Sequence, residues 1–413
     1  MQSWIPVPDG SDFPLENLPY GATDTGLVVA IGDHVVNLGL LAEAGLLPDD
    51  DVARACMSDL LNPLLALGRP AWRALRKRLT HLLAAATPQL RDNQSLRHRA
   101  VLPRADVALR LPTAVGDYVD FYSSLEHATN LGRLFRPDGE PLLPNWRHMP
   151  VGYHGRSGTL VVSGTQVTRP SGQQRPGEDG RSRFGPSRML DIELELGFVT
   201  GVGPPMGTSI PTARAADYVF GLVLVNDWSA RDIQAWEYQP LGPFLGKSFA
   251  TAMSPWVVPL DALDSCRVPS PRQDPPVLDY LQVAEDWGLD IELEVRLATS
   301  VMSEPTRISA TNARRLYWTI PQQLAHATVN GASVRAGDLF ASGTISGDQP
   351  GTEGSLIELT WGGKRPLTLP DGSTRTFVED GDTVVLSGHA GGNGTPRIGF
   401  GEVHTTIRPS PPS

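Results

Sequence analysis

The rhythm of apolar and polar positions changes along this chain. Residues 26–38, GLVVAIGDHVVNL, hold two apolar runs around Gly32-Asp33, which predicts a β-hairpin. Helical periodicity follows over roughly 50–66 and 70–92, the second stretch opening with Pro70 in its first turn. Between about 155 and 405 the pattern becomes short β runs between Gly/Pro turns, among them TLVVSGTQV, VFGLVLV, DTVVLSG and RIGFGEV. A single longer helical stretch, about 309–330, interrupts them, with Pro321 inside it and Asn330-Gly331 at its end. The pattern predicts a mainly β (α+β) protein with a small mixed domain over 1–115 and a large β-rich domain over 116–413.

Composition narrows the class. The 413 residues hold Gly 42 and Pro 37, a turn-rich makeup that agrees with many short strands. The longest apolar run, Val219–Val225, falls well short of the about 18 residues of a membrane span. With no basic-then-apolar leader and only Cys56 and Cys266, the chain reads as cytoplasmic and free of a disulfide framework. A net charge of −10 without a basic run argues against nucleic acid and membrane as partners. An anionic substrate would need its own local cations.

Two segments share the pentapeptide DIELE. On a strand, Asp191, Glu193 and Glu195 lie on one face, only about 7 Å apart in steps of two residues, so they face water or hold a cation. The copy at 290–294 continues on that face with Arg296, a counter-charge. The first copy continues with Gly197 and Val199. The asymmetry favours 191–195 as the functional copy and 290–294 as a solvated face. Carboxylate oxygens select Ca²⁺ or Mg²⁺ over softer ions.

The run at 219–225 delivers Asn226-Asp227-Trp228-Ser229, with Ser229 and Asp232 in capping-box spacing. Arg231, Gln234 and Tyr238 then share one helical face, fit either for solvent or for an oxygen-rich anion. LGPFLGKS misses the phosphate-loop spacing by one residue, but Lys247 is one of only three lysines. Gly391–Gly394 reads as a turn. The sequons at Asn93 and Asn393 carry little meaning without a leader. His127 stands seven residues after Asp120, on one side of a helix if DYVDFYSSLEHATN is helical; His154 lies in a loop.

Longer motifs now join. GSDFPLENLPYG, DYVDFYSSLEHATN, LLPNWRHMPVGYHGR, LDIELELGF, NDWSARDIQAWEY, PLGPFLGKSFATAMSPWVVP and DLFASGTISG together resemble the fumarylacetoacetate hydrolase family, from the N-terminus to about residue 403. The visible departures lie in loops near 172–184 and 348–354. The resemblance implies a small SH3-like N-terminal barrel, a large C-terminal mixed β-roll and a homodimer. It implies a metal-dependent hydrolase that cleaves a carbon–carbon bond of 4-fumarylacetoacetate, a dianionic diketo acid, at the end of tyrosine breakdown. Matched motif by motif, Asp120, Glu193, Glu195 and Asp227 would bind Ca²⁺. Asp227 would also face Mg²⁺ with Lys247 and Thr251, these two through backbone or hydroxyl oxygen. His127 would be the base, oriented by Glu358. Arg231, Gln234 and Lys247 would stabilise an oxyanion. Tyr122, Arg136, Tyr153, Gln234, Tyr238 and Thr344 would contact substrate. An acylpyruvate hydrolase or related decarboxylase would share the acids; the segment around His127 and the N-terminal domain argue against it.

Overall fold

A computed structural model describes residues 2–392 and 394–412; Asn393, with its sequon and its place in the Gly391–Gly394 turn, lies outside them. The expected hairpin is present: Gly26–Ile31 pairs with His34–Asn37, and Gly32 takes φ +52°, the left-handed geometry such a turn requires. These strands belong to a five-stranded antiparallel sheet running Val101–Pro103, His34–Asn37, Gly26–Ile31, Tyr20–Thr23, Leu109–Arg110.

The two long helices expected after the hairpin are subdivided. Asp50–Cys56, Asn62–Ala66, Arg69–Leu83 and Pro88–Arg91 are separate helices. Pro63 opens the second and Pro70 the third, with Gly68 at φ +79° between them. The third ends where residues 2–4 lie beside it, the Trp4 amide donating to Leu83 and the Ala85 amide to Gln2. Long-range pairing overrides local helical periodicity there.

The same override corrects the expected 309–330 helix. Thr306–Asn312 is a strand against Ile291–Ala298, and the helix spans only Ile320–Thr328. Pro321 sits in its first turn and produces no kink, because an N-terminal amide needs no helical acceptor.

The larger part is mostly β. An eight-stranded mixed sheet runs Gly152–His154, Tyr118–Phe121, Leu339–Ala341, Leu194–Thr200, Val219–Asp227, Thr251–Met253, Leu160–Val162, with Val258–Pro259 also on Val219–Asp227. A second sheet runs Thr306–Asn312, Ile291–Ala298, Thr383–Gly392, Thr395–Arg408, Val167–Thr168. The continuous apolar run at 219–225 is explained by burial on both faces. Leu222 and Leu224 pack towards Leu293, Leu386 and Phe400 of the second sheet. Phe220, Val223 and Val225 pack with Leu27, Trp72 and Leu79 of the N-terminal region. The central sheet is thus a shared wall between two cores. Among the described residues, no helix is long and apolar enough to cross a membrane.

Candidate active site

Strand register brings the acids together. Leu194 lies opposite Asn226 in the antiparallel pair, so Glu193 and Asp227 meet at one end of it. Thr251 sits opposite Asp227 on the next strand, and Asp120 enters beside Ala341, itself opposite Gly197. Carboxylate oxygens of Asp120, Glu193, Glu195 and Asp227 all lie within 4.8 Å of one another, and all four residues are buried. The acidic segment is not one straight strand. Leu190–Asp191 pairs elsewhere, with Ser229–Ala230, and the ladder resumes at Leu194. Neither part faces water.

Cations of the chain answer only part of this charge. Lys247 Nζ donates to Glu193 and, at 2.7 Å, to Asp227. Arg231 Nη1 lies 2.8 Å from Glu193. Burial opposes ionisation of Glu193, yet Lys247 and Arg231 outweigh it and hold the carboxyl below its usual range. Asp120 and Glu195 go the other way: burial first, then neighbouring carboxylates, push both well above theirs. Asp120 Oδ1 and Glu195 Oε1 are buried without a hydrogen-bond partner among the described residues. Unanswered oxygens in an oxygen-only, four-carboxylate cage fit a hard divalent cation.

The other expected ligands and the expected base fall around the cage. Asp227 accepts from Tyr153 at 3.1 Å and from the Thr251 hydroxyl at 2.7 Å. His127 does not share a helix with Asp120, contrary to the spacing argument. Asp120 is on the strand Tyr118–Phe121 and His127 on the helix Leu125–Phe135, capped by Ser124. His127 Nδ1 meets Glu358 Oε2 at 2.6 Å, both side chains buried. Glu358 also accepts from Asn130, Ser346 and Ser355. Burial works against its charge, but His127 and these donors keep it below its ordinary range.

Arg231 and Gln234 converge, with Arg231 Nη1 donating to Gln234 at 3.2 Å. Tyr238 is the C-cap of their helix, Arg231–Glu237, its amide donating to the Gln234 carbonyl and its side chain exposed. The expected capping box is absent. Ala230 is the N-cap, and Asp232 accepts from Ser187 and the Arg188 amide instead. Tyr122 stacks edge-on against His127 at 5.3 Å. Arg136 closes the helix of His127 and donates to Pro141, its Nε left without a partner among the described residues. Thr344 is buried, its hydroxyl without a partner among the described residues. A cleft of about 150 Å³ beside Asp227 and Lys247 is lined further by Tyr118, Tyr153, Arg156 and Phe244. His154 borders this cleft from a strand, not a loop.

Sequence reasoning missed several participants. Gly343, at φ +76°, donates its amide to Glu195 at 3.1 Å, and an added Cβ would lie 2.2 Å from Phe121 O. Its place in ASGTISG carried a turn signal without a target. Asn130 stands three residues after His127, one helical turn on, which was a usable clue.

Comparison with known proteins finds matches along nearly the whole chain. The fumarylacetoacetase N-terminal model matches residues 16–112, and the fumarylacetoacetate (FAA) hydrolase C-terminal model matches 118–408. Fumarylacetoacetase of Rattus norvegicus is 48% identical over 415 residues, 99% of each chain. That of Arabidopsis thaliana is 48% identical over 423 residues, 100% of this chain and 99% of its own. Among solved structures, fumarylacetoacetate hydrolase from psychrophilic Exiguobacterium antarcticum superposes with a TM-score of 0.53 at 15% identity. That likeness covers 95% of this chain and 99% of the other, and concerns the fold alone. With both models matched and relatives nearly half identical from end to end, the chain belongs to the fumarylacetoacetate hydrolase family.

Proposed function

We propose that this chain hydrolyses the carbon–carbon bond of 4-fumarylacetoacetate to fumarate and acetoacetate, the closing step of tyrosine breakdown. The observation that carries the reading is the 48% identity over 99% of both chains with a protein named fumarylacetoacetase. On this reading residues 1–115 form an SH3-like barrel, residues 116–413 a catalytic β-roll, and two copies associate in the cytoplasm.

Asp120, Glu193, Glu195 and Asp227 would hold Ca²⁺, and Asp227 with oxygens of Lys247 and Thr251 would face Mg²⁺. Divalent metal, when bound, supplies Lewis-acid stabilisation of diketone oxygens as enolate charge develops. The Lys247 ammonium cannot itself ligate and acts as a counter-cation. With His127 Nδ1–H donating a hydrogen bond to the Glu358 carboxylate, Nε2 carries no proton and takes one from water. The hydroxide formed adds to the carbonyl on the fumaryl side. Arg231, Gln234 and Lys247 stabilise the tetrahedral oxyanion. Its collapse breaks the bond to the acetoacetyl carbon, whose electron pair becomes an enolate and takes back the proton. Arg136 pairs a substrate carboxylate, while Tyr122, Tyr153, Tyr238 and Thr344 complete the contacts.

The test is direct. Protein loaded with Ca²⁺ or Mg²⁺ is given fumarylacetoacetate, and products are quantified. Fumarate and acetoacetate in equal amounts, lost on chelation, are expected; no fumarate release would remove the reading.

A further inference from the structure

Asp191 is the acid of the first DIELE segment that stands outside the four-carboxylate cage. It is fully buried and heavily used. Oδ1 accepts from the Ile192 amide at 2.8 Å and the Leu356 amide at 2.7 Å. Oδ2 accepts from Arg231 Nε at 2.8 Å and the Ile357 amide at 3.1 Å. Leu356 and Ile357 open the one-turn helix Leu356–Leu359 that carries Glu358. Ser355, the N-cap of that helix, spends its hydroxyl on Glu358. Asp191 therefore satisfies the helix amides that Ser355 leaves.

The consequence falls on Arg231. Its Nε is bound to Asp191, and its Nη1 to Glu193 and Gln234. Its Nη2 is buried without a partner among the described residues. A guanidinium is a rigid planar fork, so tying two nitrogens fixes the direction of the third. We infer that Asp191 is a positioning residue, which anchors Arg231 to the helix of Glu358 and so aims the free Nη2 donor at the reacting centre. The inference rests on the proposed hydrolysis. A donor aimed at charge that develops in the transition state acts on kcat, whereas uniform substrate binding acts on KM.

The experiment is a double-mutant cycle on Asp191→Asn and Arg231→Gln, reading kcat and KM for fumarate release. The amide keeps the size of the carboxylate but sets an NH₂ against a donor. Asp191→Asn is expected to lower kcat about 10²-fold, with KM changed less than roughly threefold. On the Arg231→Gln background the same change should cost less than roughly threefold more, since its target is gone. Equal losses on both backgrounds, or a loss confined to KM, would overturn the proposal. Asp191→Glu, which keeps the charge but displaces it, is measured alongside and should also lose kcat alone. If neither variant gives a cooperative melt, Asp191 serves the fold only and the proposal falls. Wild-type protein in the same assay separates the two readings: no fumarate from it removes the hydrolysis, while turnover with additive losses removes only the positioning role.

Discussion

The pentapeptide DIELE occurs twice, and the two copies have opposite fates. At 191–195 every acid is buried: Asp191 binds Arg231 and backbone amides, while Glu193 and Glu195 enter a cage with Asp120 and Asp227. At 290–294 the chain answers its own charge. Glu294 pairs with Arg296 at 2.8 Å and Arg307 at 3.4 Å, and Asp290 accepts from Asn312 at 2.7 Å. Glu292 is exposed. Even the histidines differ: His127 meets Glu358 at 2.6 Å in the interior, while His389 meets Glu292 at 3.5 Å near the surface. Five identical residues therefore specify no chemistry. The strands beside them do.

The contrast is sharpest in the carboxylates. If Glu195 is a metal ligand as proposed, Glu195→Gln should lower metal-dependent fumarate release by at least about 10³-fold, the loss of several kcal/mol of charge stabilisation. Glu294→Gln should leave the rate within about twofold, as surface changes do. Equal losses would dissolve the distinction between the copies.

The histidines come next. His127→Ala should cost about 10²–10⁴ in kcat/KM, the span of general acid–base catalysis, with Ca²⁺ binding retained in calorimetry. His389→Ala should leave turnover near wild type. Lost Ca²⁺ affinity in the first variant would make His127 a ligand and end its role as base.

A smaller effect concerns ion-free stability. Asp120 and Glu195 have folded-state pKa values raised by burial and by neighbouring carboxylates. A raised carboxyl adds stability that is complete below its unfolded pKa and is lost as pH rises towards the folded value. The chelated protein should therefore lose melting temperature as pH climbs above about 4. Added Ca²⁺ should restore the loss most at the higher pH. The Glu195→Gln variant should show a flatter pH trend. A trend unchanged by that substitution would mean the cage is not strained by its own charge.

The smallest effect belongs to the second copy. Arg296→Ala should cost under about 1 kcal/mol in denaturant unfolding, whether or not Ca²⁺ is present, because the Glu294 pair is solvent-screened. An ion-dependent loss would give the second segment a role in binding after all.

Much of this was legible in one dimension. The hairpin at Gly32-Asp33, the doubly buried run at 219–225 and the unbalanced first DIELE follow from local pattern and charge. At Gly197 the space a Cβ would need is already taken by the side chains of Leu339, Val225 and Val223. The helix expected over 309–330 failed in its first half, because pairing with Ile291–Ala298 lies outside any local window. Tyr238 continues the turn that carries Arg231 and Gln234, its amide donating to the Gln234 carbonyl, and its side chain stands exposed at the end of their helix.

By itself the sequence determined which residue types were present for an oxygen-ligated cation and an imidazole base, and which acidic segment lacked a counter-charge. Only the tertiary structure decided the rest. Strand register set Glu193 against Asp227 and brought Asp120 in from a strand over seventy residues earlier. Sheet packing closed water out, which drives Asp120 and Glu195 up while Lys247 and Arg231 hold Glu193 down. Asp191 shows the limit most plainly. Its partners, Arg231 and the amides of Leu356 and Ile357, are scattered along the chain, and no periodicity predicts their meeting. Local pattern encodes which face a side chain takes; the distance between two charges, and so their energy, exists only once the strands have paired.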